Sequence, residues 1–567
     1  MTDPESEVPF EGPSATDSAA AQSAATPPVR IGRSSTILAI GTLISRILGF
    51  VSAAVLAQTI GLQAAGDAFR LANMLPNNVY AIIAGGLLTA VLVPQIVRAS
   101  VQKDGGERFV NGLLTLGILV FALAAGLATL AAPLLVRLFA TTGDEGFSEA
   151  QLTLAVSFAY WCLPQIFFYA LFSLLGEVLN ARGVFGPFSW APVLNNLIMI
   201  AGLFVFQGLY GQVTQVGSGQ WSGQMIALLG GAATLGIAGQ ALVLFLFWRR
   251  AGLRFRPSVR WRGIGLRRVG QSAGWIFAMI LVTQTAGIFE SRVATIPSGD
   301  YPSVAVLNNA WLMAMLPHSI IVVSIATAYF TQMSAHARDA DTPAVRDDLS
   351  SSVRSILLFL IFSVGALAVI ALPFSAIFAS EYDQMVGLAQ AFWATLVALL
   401  PFSLVFLLQR VLFALEDTRT AFLLQAGRAV LFIALSFVVA LLPPSIIVVG
   451  LCLAGALTIW LQAIAAGSIL HRRLGGIGGR AILRQALWFA AAFVPAGGAG
   501  VGILFALGGF GPDSFAVSSV GAAIVSIAAS GVGMLVVYVT VLALTRNPEL
   551  RAVAAPVLRR LPGIARR

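Results

Sequence analysis

Few side chains in this 567-residue chain can do chemistry, and those that can are mostly charges set inside long apolar runs. Arg46 stands in Ser45-Arg46-Ile47-Leu48-Gly49-Phe50, near the middle of the run 35–60, with no acid three or four positions away. A charge at the centre of a membrane helix costs on the order of 3 kcal/mol on insertion scales, so it normally faces a cavity or a partner. A guanidinium grips phosphate through two parallel hydrogen bonds, which suits Arg46, with Ser45 beside it, to a phosphate or pyrophosphate group. The structural alternative is an acid on another helix. Asp67 and Arg70, at i and i+3, read as a local ion pair, and Asn73 and Asn77 continue that face toward the same cavity. Arg428 is isolated in the run 420–442 and reads as a cavity cation, with snorkelling as its alternative. Glu290 and Arg292 are two apart, so they point to different faces as gate charges or interface anchors. His318 follows Pro317 and either titrates near neutral pH or is a satisfied core histidine. Glu177, Glu416 and Asp417 stand at helix ends, where they pair with Arg182, Arg410 or Arg419 or, on the sharper reading, hold a coupling cation.

Other chemistries lack their residues. The sole lysine, Lys103, stands in Gln102-Lys103-Asp104, so there is no Gly-Lys-Ser/Thr loop for nucleotide phosphates. No His/Cys/Asp cluster has metal-enzyme spacing, and no Gly-x-Ser-x-Gly elbow stands beside a soluble α/β pattern. Cys162 and Cys452 both lie in apolar runs and read as packing residues. The expectation is a transporter rather than an enzyme, with no cofactor. It would be driven by a Na+ or H+ gradient, the membrane potential or the substrate gradient.

The elements that must position these residues are membrane helices. Hydrophobic residues make up 58% of the chain and charged ones 10%, against about 25% charged in a soluble domain. Fourteen runs are long enough to span a bilayer, which takes ~20 apolar residues. They are spans 1 to 14, at 35–60, 68–97, 110–139, 150–178, 188–209, 224–248, 271–296, 303–332, 353–379, 385–414, 420–442, 445–470, 482–508 and 516–545. They lack the period-2 alternation of a β-barrel. With both termini cytoplasmic, 29 basic residues fall on the inner side and 2, Arg137 and Arg292, on the outer, as the positive-inside rule asks. The inner arginines sit in short loops, which suggests anionic lipid headgroups rather than nucleic acid. Residues 1–32 read as a disordered cytoplasmic tail, not a signal peptide.

The chain also repeats. Asn73-Met74-Leu75-Pro76-Asn77 in span 2 answers Ala314-Met315-Leu316-Pro317-His318 in span 8, an offset of 241. Pro164 with Asn180-Ala181-Arg182 answers Pro401 with Asp417-Thr418-Arg419, an offset of 237. Halves with an even number of spans make a parallel repeat. The fold class expected is therefore an all-α polytopic membrane protein with two pseudo-symmetric six-helix lobes, 33–250 and 271–473, and two C-terminal helices within 474–545. A basic loop, 251–270, joins the lobes, and a basic cytoplasmic tail, 546–567, ends the chain. Pro76, Pro164, Pro192, Pro317 and Pro401 are expected to bend their helices.

These residues resemble a known family. Ser45-Arg46-Ile47-Leu48-Gly49-Phe50, Gly61, Asp67-Ala68-Phe69 and Asn73-x-Leu75-Pro76-Asn77 resemble the opening of the MurJ/MviN family. Leu92-Val93-Pro94, Leu179-Asn180-Ala181-Arg182-Gly183-x-Phe185 with Pro192 and Asn195, and Phe413-Ala414-x-x-Asp417-x-x-Thr420 are similar to its later junctions and to the wider multidrug/oligosaccharidyl-lipid/polysaccharide exporter superfamily. The resemblance implies a flippase of the bacterial plasma membrane. Its substrate would be lipid II, the undecaprenyl-pyrophosphate peptidoglycan precursor, or a related glycolipid, with cell-wall synthesis proteins as neighbours. It also implies a cationic cavity containing Arg46, Asp67 and Asn77, and a groove for the lipid tail at spans 13–14. Family arginines fall on Ser52, Tyr80 and either Trp311 or Leu312 here, so that cavity is less cationic. The alternatives are a flippase for another polyprenyl-linked glycan, a drug/cation antiporter of the same superfamily, or a non-transporting scaffold.

Overall fold

A computed structural model describes residues 31–84, 106–143, 146–258 and 270–551. The parts of the sequence-defined tails, basic loop and span 2 outside these ranges, with Leu92-Val93-Pro94 and Lys103, lie outside the described residues. Among the described residues, 13 helices are long and apolar enough to cross a membrane, from Ile40–Ile60 to Val520–Leu544. They match every expected span except span 2. That span is helical over Ala64–Ala84 and is more polar, because it carries Asp67, Arg70, Asn73, Asn77 and Asn78. Among the described residues no strand pairs with another, and a single bridge joins Thr142 and Phe147.

The repeat is visible in the packing. In the first half, span 1 packs on span 5, span 2 on span 4, span 3 on span 4, and span 6 on spans 4 and 5. In the second half, span 7 packs on span 11, span 8 on span 10, span 9 on span 10, and span 12 on spans 10 and 11. Each half buries its own core, so each is a lobe. The N-lobe core gathers Phe69, Phe158, Phe206 and Trp221, and the C-lobe core gathers Phe374, Phe378 and Phe392. Span 1 contributes to both. Its Ala53, Ala54 and Ala57 pack into the C-lobe core, and Phe50 stacks on Phe374 at 5.4 Å. Span 13 (Gly479–Ala506) packs on span 9 and on span 14 (Val520–Leu544). Glycines make room there: a Cβ at Gly500 or Gly533 would meet Met534 Sδ at 2.6 Å or Ile503 Cδ1 at 2.5 Å and would force those side chains to shift.

The five prolines act differently. Pro164 separates Glu149–Cys162 from Gln165–Ala181 and splits span 4. Pro317 ends Val304–Pro317 and is followed by a π turn, His318–Val322, before span 8 resumes at Val323–Arg338. Pro76, Pro192 and Pro401 lie inside helices that continue through them. The bend expected at each proline becomes an interruption of the helix at two positions, and three helices continue past the missing N–H.

A charged cavity and a one-ended clasp

The C-lobe is hollow. A cavity of ≈ 330 Å³ lies between spans 7, 8, 10, 11 and 12, with Met74 and Asn78 of span 2 completing its wall. A second space of ≈ 400 Å³ adjoins it, sharing Thr283, Gln284, Gln425, Arg428 and Ile459. Much of the wall is small: Gly287, Ala294, Ala398, Ala429 and Gly455. Small side chains leave between the helices a volume that larger ones would fill. Trp311 stands on this wall, edge-on to Phe402 at 5.2 Å.

Two opposite charges face this space. Glu290 of span 7 and Arg428 of span 11 both line it and lie within Coulombic range of each other. They do not form an ion pair, and neither makes a hydrogen bond with another described residue. Around them several amide groups are bonded to one another, while Ser291 Oγ and Gln462 Oε1 are buried without a partner among the described residues. Gln425 Nε2 donates to Thr283 Oγ1 at 3.0 Å, Gln462 Nε2 to Gln425 Oε1 at 3.1 Å, and Gln284 Nε2 to the Asn78 carbonyl at 2.7 Å. Sequence reasoning missed Asn78, Thr283, Gln284, Gln425 and Gln462. The signal that finds them is amide side chains at membrane depth, where each needs a partner.

Asp67, Arg70 and Arg292 serve a different purpose. The local Asp67–Arg70 ion pair expected from spacing does not form. Asp67 is fully buried and accepts from Ser298 Oγ at 2.5 Å and from the Ala305 N–H at 2.8 Å, at the start of span 8. The amino end of a helix favours an anion, and it outcompetes a neighbour on the same helix. Arg70 instead donates to Asn309 Oδ1 at 2.9 Å. Arg292 Nη1 donates to the carbonyls of Arg137 and Ala140, at 3.1 and 3.4 Å. Gln151 Nε2 reaches Ser298 Oγ at 3.0 Å, Gln58 Nε2 reaches the Ile377 carbonyl at 3.1 Å, and Gln215 bonds Glu381. All of these join the two lobes, and all lie at the end of the bundle that carries the loops after spans 1, 3, 5, 7 and 9. Between described residues, the deepest lobe-to-lobe hydrogen bond is Gln284 to Asn78, at mid-depth. Among the described residues, the lobes are clasped at one end.

The remaining candidates are scattered. Arg46 is exposed, makes no ion pair with a described residue, and lies within Coulombic range of His318 on span 8. It does not line the C-lobe cavity. The Ser45 carbonyl accepts from Asn196 Nδ2 at 2.8 Å. Asn73 Oδ1 faces the N-lobe interior and accepts from Gln165 Nε2 at 3.3 Å, while Asn77 is exposed. His318 is buried between the rings of Phe402 and Phe406, with Nδ1 2.9 Å from Ser403 Oγ. Asp417 caps span 11, accepting from the Thr420 N–H at 2.9 Å and Thr420 Oγ1 at 2.6 Å, and it pairs with Arg473 rather than with Arg182, Arg410 or Arg419. Burial pushes its carboxyl up, but the bonds from Thr420 and Arg473 outweigh that and hold it below the usual carboxylate range. Arg410 lies against the Phe406 and Phe330 rings, at 4.6 and 5.4 Å. Ser52 is buried, and Tyr80 stacks on Tyr169 at 5.9 Å.

Two lobes built on one packing scheme, closed against each other at one end and holding a charged hollow at bilayer depth, define a transporter rather than an enzyme. The two added C-terminal helices narrow the class. The chain belongs to the MurJ family, whose model, described as lipid II flippase MurJ, matches residues 56–521. A probable lipid II flippase MurJ of Haemophilus influenzae is 27% identical over 448 residues, covering 74% of this chain and 82% of that protein. One of Vibrio cholerae is 25% identical over 493 residues, covering 84% and 89%. Among solved structures, a lipid II flippase MurJ in an inward closed conformation superposes with a TM-score of 0.68 over 92% of this chain and 100% of that one, at 17% identity. An inward-facing multidrug resistance transporter of the MATE family superposes at 0.60, with 17% identity, over 77% of this chain and 98% of that one. These two likenesses show the fold.

Proposed function

We propose that this chain carries a polyprenyl-pyrophosphate glycolipid of the lipid II kind from the inner to the outer leaflet by alternating access of its two lobes. The observation that carries this reading is the one-ended clasp beside a charged hollow. The arginine bias assigns the clasped end to the outside, with both termini cytoplasmic. The clasped state is then the one that receives substrate from the inner leaflet. Arg46, exposed and without an ion pair to any described residue, meets the pyrophosphate as it enters, and a guanidinium suits that group. The lipid tail stays in the bilayer along spans 13 and 14, and the inner arginines hold anionic headgroups at the membrane surface. Release of the Asp67, Arg70 and Arg292 contacts opens the outer side. The membrane potential, or a Na+ or H+ taken up at an acid, returns the lobes to the clasped state. Enzymes that use the flipped precursor for wall synthesis are the expected neighbours.

The decisive measurement is outer-leaflet lipid II after acute depletion of the cell's own flippase. Wild-type chain should restore it, and Arg46→Ala should not. A wild-type chain that leaves outer-leaflet lipid II at the depleted level, yet protects cells against cationic drugs, would replace the flippase by a drug antiporter. Full restoration by the Arg46→Ala variant would remove that residue from the mechanism.

A further inference from the structure

Glu290 and Arg428 pose a physical question that the flippase reading leaves open. Burying opposite charges is least costly when they touch, because an unpaired buried charge keeps its full desolvation cost. Here spans 7 and 11 pack directly on each other, yet the two groups stay apart and unbonded across a shared space. The hydrogen bond from Gln425, one turn before Arg428, to Thr283 of span 7 fixes the faces that carry them. Toward the described residues, the guanidinium therefore keeps all five of its donors, and the carboxylate keeps both of its oxygens.

A ligand of one sign does not suit this arrangement. An anion on Arg428 also meets the Glu290 carboxylate, and a cation on Glu290 also meets the guanidinium. A ligand carrying both signs satisfies both groups and is disfavoured by neither. The space of ≈ 330 Å³, widening into ≈ 400 Å³, falls in the size class of small-ligand sites. Its wall also suits a peptide. Asn308 gives its amide N–H to the Val304 carbonyl at 2.9 Å and keeps its own carbonyl oxygen for an incoming N–H, and Trp311 offers an apolar face.

We infer that Glu290 and Arg428 form a recognition site for a zwitterionic peptide, with Glu290 taking an ammonium group and Arg428 a carboxylate, on the headgroup of the transported lipid. This rests on the flippase reading and gives the C-lobe hollow a task separate from that of Arg46. The pyrophosphate is held at the lobe interface, and the peptide lies in the C-lobe.

The test is calorimetric titration of the purified full-length protein with L-lysyl-D-alanyl-D-alanine, its diacetylated form and its C-terminal amide. The wild type should bind the free tripeptide. It should bind each blocked form about 10-fold or more weakly, the scale of one lost charge-assisted hydrogen bond. Glu290→Gln should erase the difference between free and diacetylated peptide while keeping the difference between free and amidated, and Arg428→Gln should do the reverse. Equal binding of the three peptides by the wild type, or no binding, overturns the site without recourse to any variant. So do variants that keep the discrimination they should lose. The flippase reading is judged separately, by outer-leaflet lipid II. Peptide discrimination in a chain that exposes no lipid II supports the site and sinks the flippase. Lipid II exposure without peptide discrimination does the opposite.

Discussion

The two lobes pack their helices alike and fill them differently. In the N-lobe, Phe69 meets Phe158 at 5.2 Å, Phe158 meets Trp221 at 5.5 Å, and Trp221 stacks on Phe206 at 5.9 Å. The polar groups behind these rings are linked to one another, although Gln165 Oε1 and Trp221 Nε1 are left without a partner among the described residues. Gln165 Nε2 reaches Asn73 Oδ1 and Thr234 Oγ1, and Thr234 donates to the Trp161 carbonyl at 2.6 Å. In the C-lobe, the corresponding interior has several alanines and glycines on its wall and holds two charges that no described residue pairs. At the repeat offset of 241, Asp67 corresponds to Asn308 and Arg70 to Trp311. The N-lobe residues of each pair hold the clasp, and the C-lobe residues line the hollow. One scaffold thus supplies a rigid half and a receiving half, and the division lies in side-chain volume and partner supply rather than in backbone path.

The largest expected effect tests the difference in filling. Phe158→Ala removes a fully buried ring from the N-lobe core and should cost about 3–5 kcal/mol, read as a fall in the thermal midpoint of the purified protein. Trp311→Ala removes a larger ring that is 39% exposed and already borders open space, so it should cost well under half as much. Equal losses at the two positions would mean that the C-lobe is as tightly packed as the N-lobe, and the contrast would collapse.

Next comes the clasp. Asp67→Ala leaves the Ser298 hydroxyl and the Ala305 N–H without their acceptor and removes a charge-assisted contact between the lobes, about 1.5–3 kcal/mol. Because the contact joins the lobes, the loss should appear as a population shift more than as unfolding. Spin labels at positions 212 and 383, exposed and outside the clasp bonds, should report one short distance in the otherwise native protein and a second, longer one in the variant. An unchanged distribution would move Asp67 from the clasp to the N-lobe core.

How much of this was legible in the sequence follows from the range of the forces involved. The many membrane spans, the lobe division and the C-terminal pair follow from apolar length and from proline landmarks, which are local signals. The isolation of Arg428 in an apolar run marked it for the wall on which the structure places it. The partner of Asp67 was not legible, because Ser298 and Ala305 lie 231 and 238 positions away, whereas Arg70 lies three. The amide network of Thr283, Gln425 and Gln462 was missed for a related reason. A neutral amide sits in an apolar helix at modest cost, and nothing local tells which face it turns inward. The π turn after Pro317, which buries His318 against Ser403, depends on span 10 and has no sequence signature of its own.

Cross-helix amide bonds offer a finer comparison. Asn196 of span 5 holds the Ser45 carbonyl, and Gln425 of span 11 holds Thr283, on corresponding pairs of spans. Asn196→Leu and Gln425→Leu should each cost about 1 kcal/mol of thermal stability. Only Gln425→Leu should also weaken peptide binding, because only that bond fixes a charged wall. Weakened binding in both variants would indicate that the lobes are coupled more tightly than their separate cores suggest.

The smallest effect lies where the lobes begin their fifth helices. Span 11 starts from Asp417, whose side chain caps it, whereas span 5 starts after Phe185, with no side-chain cap. In Asp417→Asn the amide oxygen still accepts the Thr420 N–H, but the charge that pairs with Arg473 is gone. At neutral pH the loss should be about 0.5–1 kcal/mol, the scale of a solvent-exposed ion pair. Its pH dependence has a definite sign. The folded carboxyl titrates below its ordinary value of 3.8, so its contribution is fully present above that value and is lost as pH falls through the lower folded one. Thermal midpoints of the wild type and the variant should therefore run parallel from neutral pH down to the ordinary carboxylate range, then converge as the medium becomes more acid. Divergence in that acid window would mean that burial, not the Thr420 and Arg473 bonds, governs Asp417. The fifth helices of the two lobes would then start under equivalent electrostatic conditions.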